Sequence, residues 1–323
     1  MYKSSEKINH MSRRAMLRAS VIAGVAALNH TNSNADTRVK PATKATTQPT
    51  TFPTTKPINQ QRYKIAVVDW MLLKRQKPRA LSLARECGMD GVEVDMGSLG
   101  ARESLKNSLK DEKARQEYFA TAEKFQVEIS SLALSAFYGK SYAAHESAAA
   151  ITAEWIETMQ LMKVKFGSLP LLGDGDVNAN PDVWKKTVAL LKAAAPAAEK
   201  AGVIMGLETM LNSEGHKKFL DEAGSTAVKV YYNLGRMEQQ GFDVYKELKE
   251  LGKDRISQIR CKESTKEGEK WLSEGTLDFK KIKSILDETG WGGWLIVERS
   301  RHKDKTVVEN YSENARFLKS IFQ

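Results

Sequence analysis

From residue 61 onward the chain alternates eight short apolar runs with longer amphipathic ones, and this rhythm limits the fold more than any other feature. The runs are "KIAVVDW" from Lys64, "GVEVDM" from Gly91, "VEISSLAL" from Val127 and "KFGSLPLL" from Lys165. They continue with "VIMGLET" from Val203, "AVKVYYNL" from Ala227, "ISQIRC" from Ile256 and "WLIVERS" from Trp294. Their length and β-branched content predict strands. Between and after them, stretches such as "PRALSLAREC", "ESAAAITAEWIETMQLM", "PDVWKKTVALLKAAAPAAEKAG", "DFKKIKSILDETG" and "TVVENYSENARFLKSIF" repeat apolar residues at three and four, which predicts helices. Gly88, Gly202 and Gly290 stand where a left-handed cap would end a helix before the next strand. Eight β–α units over residues 61–323 predict a single-domain (β/α)8 TIM barrel. No Gly-x-Gly-x-x-Gly follows the first strand, so a dinucleotide-binding open sheet is not supported. The chain also lacks a Walker loop, a Cys-x-x-Cys pair and a Gly-x-Ser-x-Gly elbow.

The residues before the barrel have a different composition. "MSRRAMLRASVIAGVAAL" places Arg13 and Arg14 before a short apolar run, and Ser33-Asn34-Ala35 offers small residues for cleavage. Residues 1–35 therefore resemble a twin-arginine signal peptide. The apolar run is too short to remain as a membrane anchor once the signal is removed. Residues 36–60 are rich in Thr, Pro and Lys and read as a linker. The expected location is periplasmic.

Charge supports this division. Residues 1–35 hold five Lys or Arg against one Glu, and residues 36–60 hold four against one Asp. Only +3 of the net +10 is left for the barrel, which argues against nucleic acid as a partner. The two cysteines, Cys87 and Cys261, read as buried free thiols.

Chemistry in such a barrel belongs at the C-terminal ends of the strands. Asp69 and Trp70 close the first, Glu93 and Asp95 the second, and Ser135 to Tyr138 follow the third. Glu208 closes the fifth and Asn233 the sixth. Arg260 and Lys262 end the seventh, and Glu298, Arg299 and Arg301 the eighth. Arg260 is the anomaly, a permanent charge where a buried strand calls for Val or Ile. Trp70, Phe137 and Tyr138 are aromatic candidates either to stack on a ligand at the mouth or to close the core, with Glu93 and Lys262 beside them. Arg299 and Arg301 are candidates to clamp a carboxylate or phosphate. His145 and His216 fall in loops and read as solvated.

"YYNLG", "SQIRCKE" and "WLIVERSR", with Glu208 ending strand five, resemble the xylose isomerase-like sugar phosphate isomerase/epimerase superfamily. "VVDWMLLKRQKP", "GVEVDMGSLG" and "EISSLALSAFYG" resemble an exported branch of it. The resemblance covers roughly residues 62–323. It implies one divalent metal held by Glu, Asp, His and Glu at the ends of strands five to eight. Glu208 and Glu298 match the two glutamates, whereas Asn233 stands at the Asp and Arg260 at the His. A guanidinium has no lone pair to donate and stays charged. Mg²⁺ or Mn²⁺ is therefore held weakly by Glu208, Asn233 and Glu298, or is absent, with Arg260 supplying the cation the carboxylates need.

The resemblance implies a carbohydrate isomerase or epimerase that moves a proton beside a carbonyl, with Glu208 and Glu298 as acid and base and Arg260 as oxyanion donor. A lyase acting on oxidised (3-keto) glycosides starts with the same proton abstraction. A non-catalytic carbohydrate-binding barrel is the third reading. An endonuclease of the superfamily would need several histidine ligands, and the barrel holds only His145, His216 and His302. The expected partner is an unphosphorylated or oxidised sugar or a glycoside. A monomer and a homo-oligomer both remain open.

Overall fold

The computed structural model describes residues 62–100, 105–265 and 268–323. The expected signal peptide and linker lie outside the described residues. Eight parallel strands close a barrel: β1 (Tyr63–Val68), β2 (Gly91–Asp95), β3 (Glu128–Ala133), β4 (Phe166–Pro170), β5 (Ile204–Glu208), β6 (Val228–Asn233), β7 (Ile256–Cys261) and β8 (Gly293–Val297). Each coincides with one of the eight apolar runs. β1 pairs with both β2 and β8, which closes the sheet without an edge.

Among the described residues nine α-helices surround the strands: α1 (Arg79–Glu86), α2 (Glu112–Phe125), α3 (Ala148–Leu161), α4 (Pro181–Ala201), α5 (Ser213–Ala223), α6 (Leu234–Gln239), α7 (Val244–Arg255), α8 (Phe279–Thr289) and α9 (Val307–Phe322). α6 is an extra short helix between β6 and α7. Gly88, Gly202 and Gly290 take the left-handed conformation expected of them. Among the described residues no helix is long and apolar enough to cross a membrane.

Strand alternation divides the core into two layers. Ile65, Val67, Leu295 and Val297 face outward into the apolar layer under the helices. Ala66, Val68, Trp294 and Ile296 face inward and pack with Tyr231 inside the barrel. Arg260 lies in register with inward-facing Ile296 on one side and with Asn233 on the other. Parallel partners share a face, so the register sends Arg260 into the barrel interior, where β2, β5 and β8 bring their glutamates. Cys87 and Cys261 are free and buried, and burial pushes the Cys87 thiol up to about 12.

Candidate active site

Three carboxylates converge on Arg260. Its side chain is closed to solvent. Nη2 donates to Glu93 Oε1 at 2.8 Å. Nε lies 3.4 Å from Glu208 Oε2, and Nη1 lies 3.5 Å from Glu298 Oε2. Those two contacts are ionic only, because neither Nε nor Nη1 has a hydrogen-bond partner among the described residues. The Tyr231 ring lies 4.5 Å from Cζ, and cation–π attraction adds to the guanidinium's stabilisation. Burial alone would drive a charge out. The surrounding anions outweigh it and hold the Arg260 guanidinium more firmly protonated than in water.

Glu208 and Glu298 have opposite surroundings. Glu208 Oε1 accepts from Asn233 Nδ2 at 2.8 Å and from Arg236 Nε at 3.1 Å, and Oε2 accepts from Tyr138 Oη at 3.0 Å. Burial raises its carboxyl, but Arg260, Arg236 and these hydrogen bonds outweigh burial and bring it below the ordinary value. Glu298 lacks such donors. Burial pushes it up, Arg260 and Lys262 pull it down, and the nearby Glu208 and Glu93 push it up again; the net shift is upward. Glu208 is thus a fixed anion, whereas Glu298 holds a proton more readily than a free carboxylate does.

Sequence reasoning missed Arg236, although its place is visible in "YYNLGR" afterwards. Asn233 caps α6 by accepting from Arg236 N at 3.1 Å, which puts the Arg236 side chain one turn above the end of β6. The intervening Gly235 is required by crowding, because a Cβ there would lie 2.1 Å from the carbonyl oxygen of Lys262. The first turn of α6 therefore packs directly on the end of β7.

These contacts decide whether the residues fit the family's divalent metal, and they do not. Asn233 directs its NH₂ at Glu208 and uses its carbonyl oxygen on the α6 backbone. Arg260 occupies the space between the two glutamates and offers no lone pair. Among the described residues no cluster of His, Cys, Asp or Glu is arranged to hold a metal ion. Of the two expectations for Glu208, Asn233 and Glu298, weak Mg²⁺ or Mn²⁺ binding or Arg260 in place of the metal, these contacts favour the second.

The other candidate residues divide. Trp70 is half-buried at the rim, with Arg260 Cζ 6.0 Å and Arg75 Cζ 5.3 Å from its rings, and stands edge-on to Tyr138. Phe137 does not reach the mouth. It is fully buried, edge-on to Tyr142 and His145, whereas Tyr138, the other aromatic candidate of this turn, reaches Glu208. Lys262 is 8% exposed, and its Nζ makes no hydrogen bond or ion pair among the described residues. Burial lowers its pKa; Glu298 opposes this, while Arg236 and Arg299 reinforce it.

Arg299 and Arg301 do clamp a carboxylate, but it belongs to the chain itself. Their Nε atoms lie 3.4 and 2.8 Å from Glu269, on a short ribbon of Ser264–Thr265 and Gly268–Glu269. Arg299 and Ser300 both have positive φ, and the turn is held by Asn314 Nδ2 donating to Ser300 O. His145 lies in a loop, half-buried. His216 is neither in a loop nor solvated. It is buried in α5, its Nε2 is 2.9 Å from Thr209 Oγ1, and burial pushes it down to about 4.

The fold and the strand-end cluster define a class, and the comparisons agree with it. The chain belongs to the xylose isomerase-like TIM barrel family, whose model matches residues 81–321. Similar solved structures include an L-ribulose 3-epimerase, at 15% identity over 80% of this chain and 95% of that one, with a TM-score of 0.63. The 3-keto-D-glucoside 4-epimerase of E. coli shares 14% identity over 80% and 99%, with a TM-score of 0.65. The IOLI protein with a zinc atom shares 17% over 80% and 99%, with a TM-score of 0.63. At such identities the likeness is one of fold. No curated protein sequence matches the chain.

Proposed function

We propose that this protein is a carbohydrate isomerase or epimerase that moves a proton on the carbon beside a carbonyl without a divalent metal. One observation carries the reading: two glutamates of opposite character flank one buried guanidinium, and only one of them keeps a reactive edge. Glu298 is 6% exposed and lacks strong donors, while Glu208 and Arg260 are closed to solvent at 1% and 0%. Glu298 is then the base that takes the proton and the acid that returns it. Glu208, Glu93 and Arg260 form the frame that keeps Glu298 oriented and sets its proton affinity. Arg260 acts on the carboxylates rather than on a bound sugar, which alters the oxyanion role expected of it. Trp70, Tyr138 and Lys262 line the approach. The epimerases of similar fold support a sugar substrate. One of them is named for a 3-keto-glucoside, so an oxidised sugar belongs in the trial set, and elimination from it is the lyase variant of the same first step.

The test is proton exchange into deuterated water, followed by NMR, with chelator-treated protein and a panel of free ketoses, phosphorylated sugars and 3-keto-glucosides. The parent exchanges the α-proton of one class. Glu298→Gln loses on the order of 10²–10⁴ in rate while still binding that sugar. Sugar binding without exchange in the parent leaves the carbohydrate-binding barrel as the reading. Exchange that appears only when metal is restored removes the metal-free reading.

We also propose export by the twin-arginine route, supported by Arg13 and Arg14 ahead of the apolar run. Replacing both with Lys should leave the chain in the cytoplasm with its leader uncleaved; unchanged secretion of that variant would defeat the idea.

A further inference from the structure

Removing a proton beside a carbonyl requires an electron sink, and a barrel without a metal must supply one from its side chains. This inference rests on the proton-transfer reading. Arg260 is an unsuitable sink, because its charge is shared among Glu93, Glu208 and Glu298 and it is closed to solvent. Arg236 is tied to Glu208, and Arg299 and Arg301 to Glu269. Lys262 differs from all four. It stands one residue past β7 among Glu298, Arg236, Arg299 and Glu208, its amine has no hydrogen-bond or ion-pair partner among the described residues, and it keeps a narrow opening to solvent. Its backbone is held by the close approach of Gly235. A lysine that is largely desolvated and next to other cations is driven toward its neutral, nucleophilic form.

We propose that Lys262 forms an imine with the carbonyl of a ketose or keto-sugar, and that this iminium takes the place of a metal in acidifying the neighbouring C–H for Glu298. The neutral amine adds to the carbonyl carbon. Its two hydrogens and the carbonyl oxygen leave as water, and a proton on the new C=N bond gives the iminium. Glu298 takes the α-proton, the C–H electron pair becomes a C=C bond, and the C=N pair moves to nitrogen as an enamine. Return of the proton by Glu298 to the same face completes exchange with solvent, whereas a proton delivered by a water on the opposite face, with Glu298 losing its own to solvent, inverts that carbon. Water then adds to the C=N bond and releases the amine and the ketone. The water lost is regained, and nothing is oxidised or reduced.

Hydroxyacetone with cyanoborohydride, applied to the full chain, reads this directly, because reduction fixes an imine as a stable secondary amine. Peptide mass mapping should find the adduct at Lys262 ahead of the exposed Lys246 and Lys249. Lys262→Arg keeps a cation but cannot form the imine, and should lose on the order of 10² or more in α-proton exchange while melting like the parent. Labelling at Lys262 no faster than at Lys246 and Lys249, or a Lys262→Arg variant that exchanges at the parent's rate, overturns the imine. The two readings fail separately. Exchange in the parent with Lys262 unlabelled defeats the imine and keeps proton transfer by Glu298. Labelling at Lys262 with no exchange of any sugar supports the imine and defeats the proton-transfer reading instead.

Discussion

Asp69 and Asp95 stand at the ends of β1 and β2, Glu208 and Glu298 at the ends of β5 and β8, and the two groups use their oxygens differently. Asp69 Oδ2 accepts the backbone N–H groups of Gln76 and Asp95, at 2.7 and 3.2 Å. Asp95 Oδ1 accepts from Gly97 N at 2.8 Å, while its Oδ2 holds Ser135 and Arg75. These contacts fasten loops. On the opposite side the glutamates face side-chain cations, and two guanidinium nitrogens between them, Arg260 Nε and Nη1, have no hydrogen-bond partner among the described residues. Glu93 bridges the two sides, accepting from Arg260 and, at 2.7 Å, from Ser131 Oγ. A carboxylate bound to backbone donors has its position and chemistry fixed by the fold. Glu208 is likewise held by Asn233, Arg236 and Tyr138, whereas Glu298, facing the unfilled Arg260 Nη1, remains free to exchange a proton.

The largest test of this contrast is Arg260→Ala. It leaves Glu93, Glu208 and Glu298 facing one another without their shared cation. Breaking a buried ion pair from one side costs about 3–5 kcal/mol, and with three carboxylates affected the upper end is expected. Denaturant melts at neutral pH measure it. A variant that melts with the parent would mean that the β5–β8 side is no more demanding than the β1–β2 side.

Asp69→Asn tests the opposite side. Burial raises the Asp69 carboxyl from 3.8 to about 7, against the Gln76 N–H and Arg75, with Glu93 adding to the rise. The folded chain therefore holds this proton more tightly than the unfolded one. The resulting stabilisation is whole below about pH 4 and is lost as pH rises through about 7, with an upper limit of roughly 4 kcal/mol. Asn keeps an oxygen for the two backbone donors and removes the titration. The stability difference between variant and parent should move in the variant's favour as pH rises from 4 to 8. A difference independent of pH would show that Asp69 is ionised throughout and that its loop role needs no proton.

All eight strands were legible because apolar alternation survives in short runs, and Glu208, Asn233, Arg260 and Glu298 were legible because strand ends mark the barrel mouth. Two kinds of feature were not. The first depends on a single turn. Whether Phe137 or Tyr138 reaches the mouth is decided by the 3₁₀ turn at Ser135–Phe137, and Arg236 reaches Glu208 only because α6 starts at Asn233. The second depends on partners distant in sequence. Nothing in the sequence assigns Glu269 to Arg299 and Arg301, or pairs His216 with Thr209 inside a buried helix. The sequence shows that a charge stands at a strand end, but not whether its partner is a ligand or the chain itself.

The smallest effect belongs to that last pairing, and it separates structural arginines from the cluster. Arg299 and Arg301 are 54% and 38% exposed, so their attraction to Glu269 is screened by water. Glu269→Gln should cost less than about 1 kcal/mol, decreasing further in high salt. It should leave α-proton exchange unchanged, because neither arginine touches Glu208, Arg260 or Glu298 through an ion pair among the described residues. The removal does release both guanidiniums. If they serve substrate as well as the ribbon, phosphorylated or carboxylated sugars should bind Glu269→Gln more tightly than the parent, while neutral sugars bind alike. Equal binding of all of them would confine the two arginines to holding the ribbon and leave the β5–β8 cluster with Lys262 as the whole of the site.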